Sequence, residues 1–230
     1  MTPTVTVVIP HYYEQRRVRN LPILIDALNT GTVRPLEILI WNDARVPLGP
    51  FPNTHVILPH RAVGSKARYL AAMCAQGEYI LFHDNDVCVE PKTIDTFLRY
   101  ITEDTILSPA GRQVKDEFHG PMSDFNRVEG HVITKLTPVD IPHAKLSMSH
   151  RKVVNRLLGD LPFTDPDFEM DDVMYAAVAK HRGVGCFVYP WLPGEGYVLL
   201  SECGVGMWRD ANFYKDRDKL VREHWPENFK

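Results

Sequence analysis

Three short apolar runs, at residues 5–9 (VTVVI), 36–41 (LEILIW) and 79–82 (YILF), each stop abruptly on polar residues: "PHYYE", "NDAR" and "HDND". Continuous apolar runs of this length, rather than an apolar–polar alternation, fit strands covered on both faces. Helical spacing appears between them. Leu21, Ile25 and Leu28 form one stripe, closed by Gly31. Ala67, Leu70, Ala71 and Cys74 form another, with Ser65 placed to cap it and Gly77 to end it. A strand at 54–59 and a helix at 91–100 complete the order β-α-β-β-α-β-α up to about residue 100. This order predicts an α/β fold: a mostly parallel central sheet flanked by helices, with ligands beyond the carboxyl ends of the strands.

The second half is less regular. Residues 171–183 (DDVMYAAVAKHRG) read as a helix with acids at its positive end and Gly183 as its stop, and a short strand follows at 184–190. Mixed strands and loops are expected at 111–150, and one last helix after Gly204. No Gly/Ser linker divides the 230 residues, so residues 1–230 are read as a single domain. A net charge of −3 gives no global basic field to hold nucleic acid. The cysteines, Cys74, Cys88, Cys186 and Cys203, form no CxxC pair. They point to a reduced, cytoplasmic-type setting without structural zinc. No signal peptide or membrane-spanning run is read.

Asp84 and Asp86 sit one residue apart at the end of an apolar strand. Two carboxylates there repel each other and lose water, so something positive is expected to meet them. An Asp-x-Asp pair suits a hard divalent cation, Mn²⁺ or Mg²⁺, that shares its remaining oxygens with phosphate. A solvated turn is the plain alternative.

Taken in order, "VTVVIPHYYE", "LEILIWNDAR", "GSKARYLAAMCAQGEYILFHDND" and "DDVMYAAVAKHRG" resemble the GT-A glycosyltransferases, glycosyltransferase family 2 in particular. The resemblance implies a GT-A domain whose residues 1–100 bind a nucleotide sugar and whose residues 101–230 face the acceptor. It implies that Pro10, Tyr12 and Glu14 pack on the base and ribose, that Asp43 bonds a uracil ring, and that Arg68 lies near the base or diphosphate. Asp84 and Asn85 fall at the donor, and Asp86, with Asp84, at the metal. Asp172 matches the general base, with Asp171 where the family usually has Glu. His224 corresponds only by chain position to the family's C-terminal metal-binding His.

Tyr13, Asn42 and Tyr69 depart from the family's usual residues, which bears on the donor's identity more than on the reaction class. Family-like chemistry is metal-dependent inverting transfer from a nucleoside diphosphate sugar, with UDP-sugar the expected donor. The incoming hydroxyl needs a base, and crowding of Asp171 and Asp172, with Glu169 near, is expected to raise the basicity of Asp172.

Bland readings compete at each position. The acids at 171–172 also suit a helix N-terminus, Asp43 a turn, Arg68 a helix surface, and Tyr12 and Tyr13 simple packing. His119, His131, His143 and His150 are read as structural or surface histidines rather than metal ligands. The tail around Gly204, Gly206 and Trp208 reads as a lid over the donor or as ordinary surface. A nucleotidyltransferase and a non-catalytic nucleotide-sugar-binding module are the rival functions. The first is disfavoured by the glycine-free loop "PHYYEQRR". The acceptor is a glycan or another hydroxyl compound. A hydroxymethylated DNA base would call for a basic groove at Lys145, Arg151, Lys152 and Arg156. A short chain of this kind resembles viral or bacterial glycan-building enzymes, including virus-encoded ones acting in a host cell.

Overall fold

A computed structural model of the chain describes residues 3–11, 15–115, 127–163, 171–200 and 213–229. The first half runs β1 (Val5–His11), α1 (Gln15–Val18), α2 (Asn20–Thr30), β2 (Glu37–Asn42), β3 (Thr54–Ile57), α3 (Ala67–Ala72), β4 (Tyr79–His83), β5 (Val87–Val89) and α4 (Thr93–Tyr100). The second half adds β6 (Thr105–Ser108), β7 (Ala110–Arg112), β8 (Arg127–Glu129), β9 (Thr137–Pro138), β10 (Ile141–Pro142), β11 (Leu146–His150) and α5 (Arg151–Leu158). It closes with α6 (Asp171–His181), β12 (Gly185–Val188), β13 (Tyr197–Leu199) and α7 (Phe213–His224).

The central sheet has the order β3-β2-β1-β4-β11-β6-β12-β9. Its first four strands are parallel, and β11 is inserted antiparallel between β4 and β6. This is the α/β architecture expected from the sequence. The inserted strand has a consequence for function: Leu146 pairs with His83, so the residues before β11 arrive beside the carboxyl end of β4.

The apolar runs divide between the two faces of the sheet, as strand alternation requires. Val5, Val7 and Ile9 pack with Leu21, Leu24, Ile25 and Leu28 of α2 and Ile94 and Phe97 of α4. Val8, Leu39, Ile80 and Phe82 pack on the other face with Tyr69 and Ala71 of α3, Val154 and Leu157 of α5, and Tyr175 of α6. Each Val, Leu, Ile or Phe among them, buried in full, stabilises the fold by about 1.5–3 kcal/mol. A third cluster joins Val173, Ala176 and Ala177 of α6 to Val221 of α7 and Trp225. It fixes α7 alongside α6. No helix among the described residues is long and apolar enough to cross a membrane.

Three local expectations change. The α3 helix ends at Ala72, well before Gly77, and leaves Cys74 exposed beyond it. The first strand does not stop at Pro10 but continues to His11. Pairing with β4 has ended at Val8, so the missing proline N–H costs no bond on that side. Ser65 is not the residue that caps α3. It lies in a 3-10 turn (Gly64–Lys66), and the helix begins at Ala67. Gly31 does close α2, donating its N–H to the Ala27 carbonyl.

Candidate active site

The carboxyl ends of β1, β2 and β4 lie side by side, and the polar residues of all three meet there. Pro10 sits at this edge, opposite Trp41. Asp43 accepts hydrogen bonds from the Val63 and Gly64 N–H groups at 2.7 Å each and from Trp41 Nε1 at 2.9 Å. It ties the end of β2 to the turn that launches α3. A carboxylate offers about four acceptor positions, so most of its capacity is committed within the protein.

The strand-tip acids are met by the chain's own cations. Arg68 Nη2 donates to Asp84 Oδ1 at 2.8 Å and Nη1 to the Ala144 carbonyl at 2.6 Å, while Nε lies 2.8 Å from Asp171 Oδ2. Arg68 is only 3% exposed. It therefore joins the acid after β4 to the acid that opens α6. Asp86 is buried as well. Its Oδ2 lies 3.2 Å from Lys145 Nζ, which the antiparallel β11 delivers, and 3.6 Å from Arg17 Nη2 of α1.

Asp86 Oδ1, by contrast, is buried with no hydrogen-bond partner among the described residues. A buried carboxylate oxygen left in this way is costly. A hard cation is the kind of partner that would satisfy it. No cluster of three or more His, Cys, Asp or Glu groups suited to a metal occurs among the described residues. Any cation here would rest on Asp84 and Asp86 and take further oxygens from its substrate and water, as Mg²⁺ and Mn²⁺ commonly do. The donor set is compatible with such an ion.

Several predicted residues prove to be placed otherwise. Asn85, read as a donor contact, is 1% exposed. Its Oδ1 accepts from Arg17 Nη1 at 2.9 Å, its Nδ2 lies 2.9 Å from His11 Nδ1, and its carbonyl accepts from Asn20 Nδ2. It braces the loop between the two aspartates from inside. His224 does not join the acids. Asp172 at the start of α6 pairs with Arg217, whereas Lys180, more than two turns further along α6, donates to the His224 carbonyl. Since the helix rises ~1.5 Å per residue, His224 lies at the far end of the α6–α7 pair. Tyr12, Tyr13 and Glu14 lie outside the described residues, as do Glu169, His119 and the expected lid residues Gly204, Gly206 and Trp208. The described chain reaches this region as far as Leu200, whose N–H donates to the Asp86 carbonyl at 2.7 Å.

The two acids opening α6 have opposite environments. Asp171 is buried, and burial pushes its carboxyl up to about 7 against the opposing charge of Arg68. For Asp172 burial works upward too, but Arg217 outweighs it. Arg217 Nη1 and Nη2 donate to the two Asp172 oxygens at 2.7 and 2.8 Å, a bidentate pair, and Val173 N–H adds a third bond. Asp172 is thus held below the usual carboxylate range. The expectation that crowding raises Asp172 is corrected: the upward shift falls on Asp171. Yet Asp172 is the acid that opens to space. It lines a hollow with Arg68, Tyr69 and Tyr175, and also an open pocket with His143, Arg112, Arg127 and Arg217.

Arg17, Lys145 and Arg217 are the site residues that sequence reasoning missed. Arg17 follows β1 directly, in "EQRR", a readable signal. Lys145 does not stand with Lys152 and Arg156 in one basic groove. It lies before β11 and faces Asp86, whereas Lys152 and Arg156 lie beyond that strand, against Glu103 and Asp104.

Buried imidazoles surround the site. Burial, with the Arg17 charge, lowers His11 to about 4, and burial lowers His83 to about 4. Burial, with Lys145 and Arg127, lowers His143 to about 3. Each depressed histidine is protonated first in the unfolded chain, so its share of stability is present above its ordinary 6.5 and is lost as pH falls toward 4. Asp171, raised to about 7, acts in the opposite direction between its ordinary 3.8 and 7, but it is one group against three. The denaturant midpoint is therefore expected to be lower at pH 5 than at pH 7.5. An equal or higher midpoint at pH 5 would contradict this reading of the buried histidines. His150 is structural: its Nδ1 accepts from the Lys152 N–H and caps α5.

Comparison with known proteins bears on these features. The family model described as Glycosyl transferase family 2 matches residues 6–157. No curated protein matches the chain in a sequence search. Among solved structures, the fold is similar to that of the mannosyltransferase PcManGT from Pyrobaculum calidifontis, determined in complex with GDP-Man and Mn²⁺. The TM-score is 0.65 at 18% sequence identity, and the match covers 99% of this chain and 64% of that one. The chain thus spans under two thirds of the mannosyltransferase it resembles.

Proposed function

The chain belongs to glycosyl transferase family 2 and has a GT-A fold, and from this we propose that it moves a sugar from a nucleoside diphosphate sugar to an acceptor hydroxyl with inversion at the anomeric carbon. The observation that carries the reading is the Asp84–Arg68–Asp171 chain, which draws the strand-tip acids and the helix-tip acids into one cleft. We assign the donor to the half made by residues 1–100 and the acceptor to the half made by residues 101–230.

In this reading Asp84 and Asp86 would hold Mn²⁺ or Mg²⁺, which when bound supplies compensation for the charge gathering on the departing diphosphate. Arg68 fixes Asp84 and Asp171 relative to each other. Asn85, held by Arg17 and His11, keeps the loop from shifting. Asp172 faces the pocket and accepts the proton of the incoming hydroxyl, and Arg217 holds its carboxylate ionised and aimed. Geometry selects it over the more basic Asp171, which is 6% exposed and turned to Arg68. Attack opposite the leaving group needs no covalent enzyme intermediate, and no nucleophilic Ser or Cys is assigned.

A donor panel tests the reaction class. Free nucleoside diphosphate is expected to accumulate from UDP-glucose or from GDP-mannose, the ligand named for the similar mannosyltransferase, when Mn²⁺ is present. Binding without turnover would favour a non-catalytic module. Release of pyrophosphate from a nucleoside triphosphate would favour a nucleotidyltransferase.

A further inference from the structure

The acids at the strand and helix tips are matched by the chain's own cations. Asp84 and Asp171 meet Arg68, Asp86 meets Lys145 and Arg17, and Asp172 meets Arg217. Four carboxylates thus stand with four cationic side chains among the described residues, and the cluster carries no net negative charge. A divalent ion arriving alone at Asp84 and Asp86 would meet Lys145 and Arg17 at close range. Asp86 is buried there, so water screens the repulsion little. An ion that arrives with a nucleoside diphosphate brings its own negative charge.

Of these four cations, Lys145 is the one placed to answer such a pair. Its backbone is fixed at the acids: the Lys145 carbonyl accepts from the Asp84 N–H at 2.8 Å, and the next residue, Leu146, pairs with His83. Its side chain is the most open of the four, at 25% exposed, and ends a flexible four-carbon stem. Arg17 is tied to Asn85 as well as to Asp86, and Arg68 bridges two acids. Lys145 Nζ donates to Asp86 Oδ2, whereas Oδ1 of the same carboxylate is buried with no hydrogen-bond partner among the described residues. One carboxylate therefore has an ammonium on one oxygen and offers the other to a cation.

We propose that Lys145 makes metal binding depend on the donor. Its ammonium, on Asp86, weighs against Mn²⁺ or Mg²⁺ alone, and it turns from Asp86 to the diphosphate oxygens when ion and nucleotide enter together. Lys145 is then a positioning residue for the ion and a binding residue for the donor. The proposal rests on the reading of Asp84 and Asp86 as the acids that hold the ion. The coupling runs both ways by thermodynamic necessity: the factor by which the diphosphate tightens the ion is the factor by which the ion tightens the diphosphate.

The test uses the full chain, with Mn²⁺ followed by electron paramagnetic resonance and UDP or GDP by calorimetric titration, each corrected for the Mn²⁺–nucleotide complex in solution. In the unaltered chain Mn²⁺ is expected to bind roughly tenfold or more tightly with one of the two nucleotides than alone. Lys145→Gln keeps a polar group beside Asp86 and removes the charge. It is expected to tighten Mn²⁺ alone by about tenfold, and to weaken the nucleotide titrated with Mn²⁺ by about as much. The opposite signs are the signature, because a merely structural defect would weaken both. Lys145→Arg keeps the charge and is expected to restore most of the coupling, which controls for folding. An unchanged affinity in Lys145→Gln for Mn²⁺ alone, or for the nucleotide with Mn²⁺, would overturn the proposal, and so would a weakening of both. Asp86→Asn separates it from the metal reading. Loss of Mn²⁺ binding in Asp86→Asn, beside unchanged affinities in Lys145→Gln, defeats this proposal and leaves that reading standing. Mn²⁺ binding unaltered by Asp86→Asn, or no Mn²⁺ binding with either nucleotide, defeats both.

Discussion

Replacing Asp172 with asparagine is expected to leave nucleotide-sugar binding intact and to lower sugar transfer by about 10²–10⁴-fold, the usual contribution of a positioned base. The substitution keeps the shape of the side chain and removes its charge. Arg217 loses its bidentate partner, so a moderate loss of stability accompanies the change, and transfer has to be measured on folded protein. The companion variant Asp171→Asn separates the two acids. Asp171 is buried against Arg68 rather than open to the pocket, so its loss is expected to disturb donor binding and folding before proton transfer. Normal transfer by Asp172→Asn would place the base elsewhere, and Asp171, with its carboxyl raised to about 7, would be the first alternative.

The Asp86→Asn variant is expected to lose stimulation by Mn²⁺ and at least roughly 100-fold in donor turnover, since compensating a leaving diphosphate is worth several kcal/mol. Asparagine is preferable to alanine here. Asp86 is buried between Lys145 and Arg17, and removing the whole side chain would leave two cations facing a void. The amide keeps the volume and one acceptor oxygen. If Asp86→Asn turned over donor at the wild-type rate with the same response to Mn²⁺, the strand-tip acids would have only a structural role.

Much of the fold was legible because it depends on local pattern. Short apolar runs ending on polar residues gave β1, β2 and β4, and Gly31 marked the end of α2. What was not legible is long-range. Nothing in residues 146–150 says that this strand runs antiparallel beside β4, and that one pairing decides that Lys145 meets Asp86. Arg217 lies 45 residues from Asp172 in sequence and reaches it because α7 packs along α6 through Val221 and Trp225. A cation that arrives by tertiary packing leaves no trace in a local motif. For that reason the local sequence offers only neighbouring acids as an influence on Asp172, and the partner that reverses their effect is visible only in the packed structure. Asn85 shows the same limit: a polar residue between two acids reads as a ligand contact until His11 and Arg17, distant in sequence, take both ends of its amide.

Whether the acids after β4 and the acids opening α6 share one bound donor can be measured directly by paramagnetic relaxation. Mn²⁺ is added with UDP or GDP to isotope-labelled protein, and the backbone amide signals of residues 84–86 and 171–173 are followed, with Mg²⁺ as the diamagnetic control. The account predicts strong broadening of both segments at the same Mn²⁺ concentration, and loss of both effects in Asp86→Asn. Broadening confined to other parts of the chain, or at only one of the two segments, would contradict it.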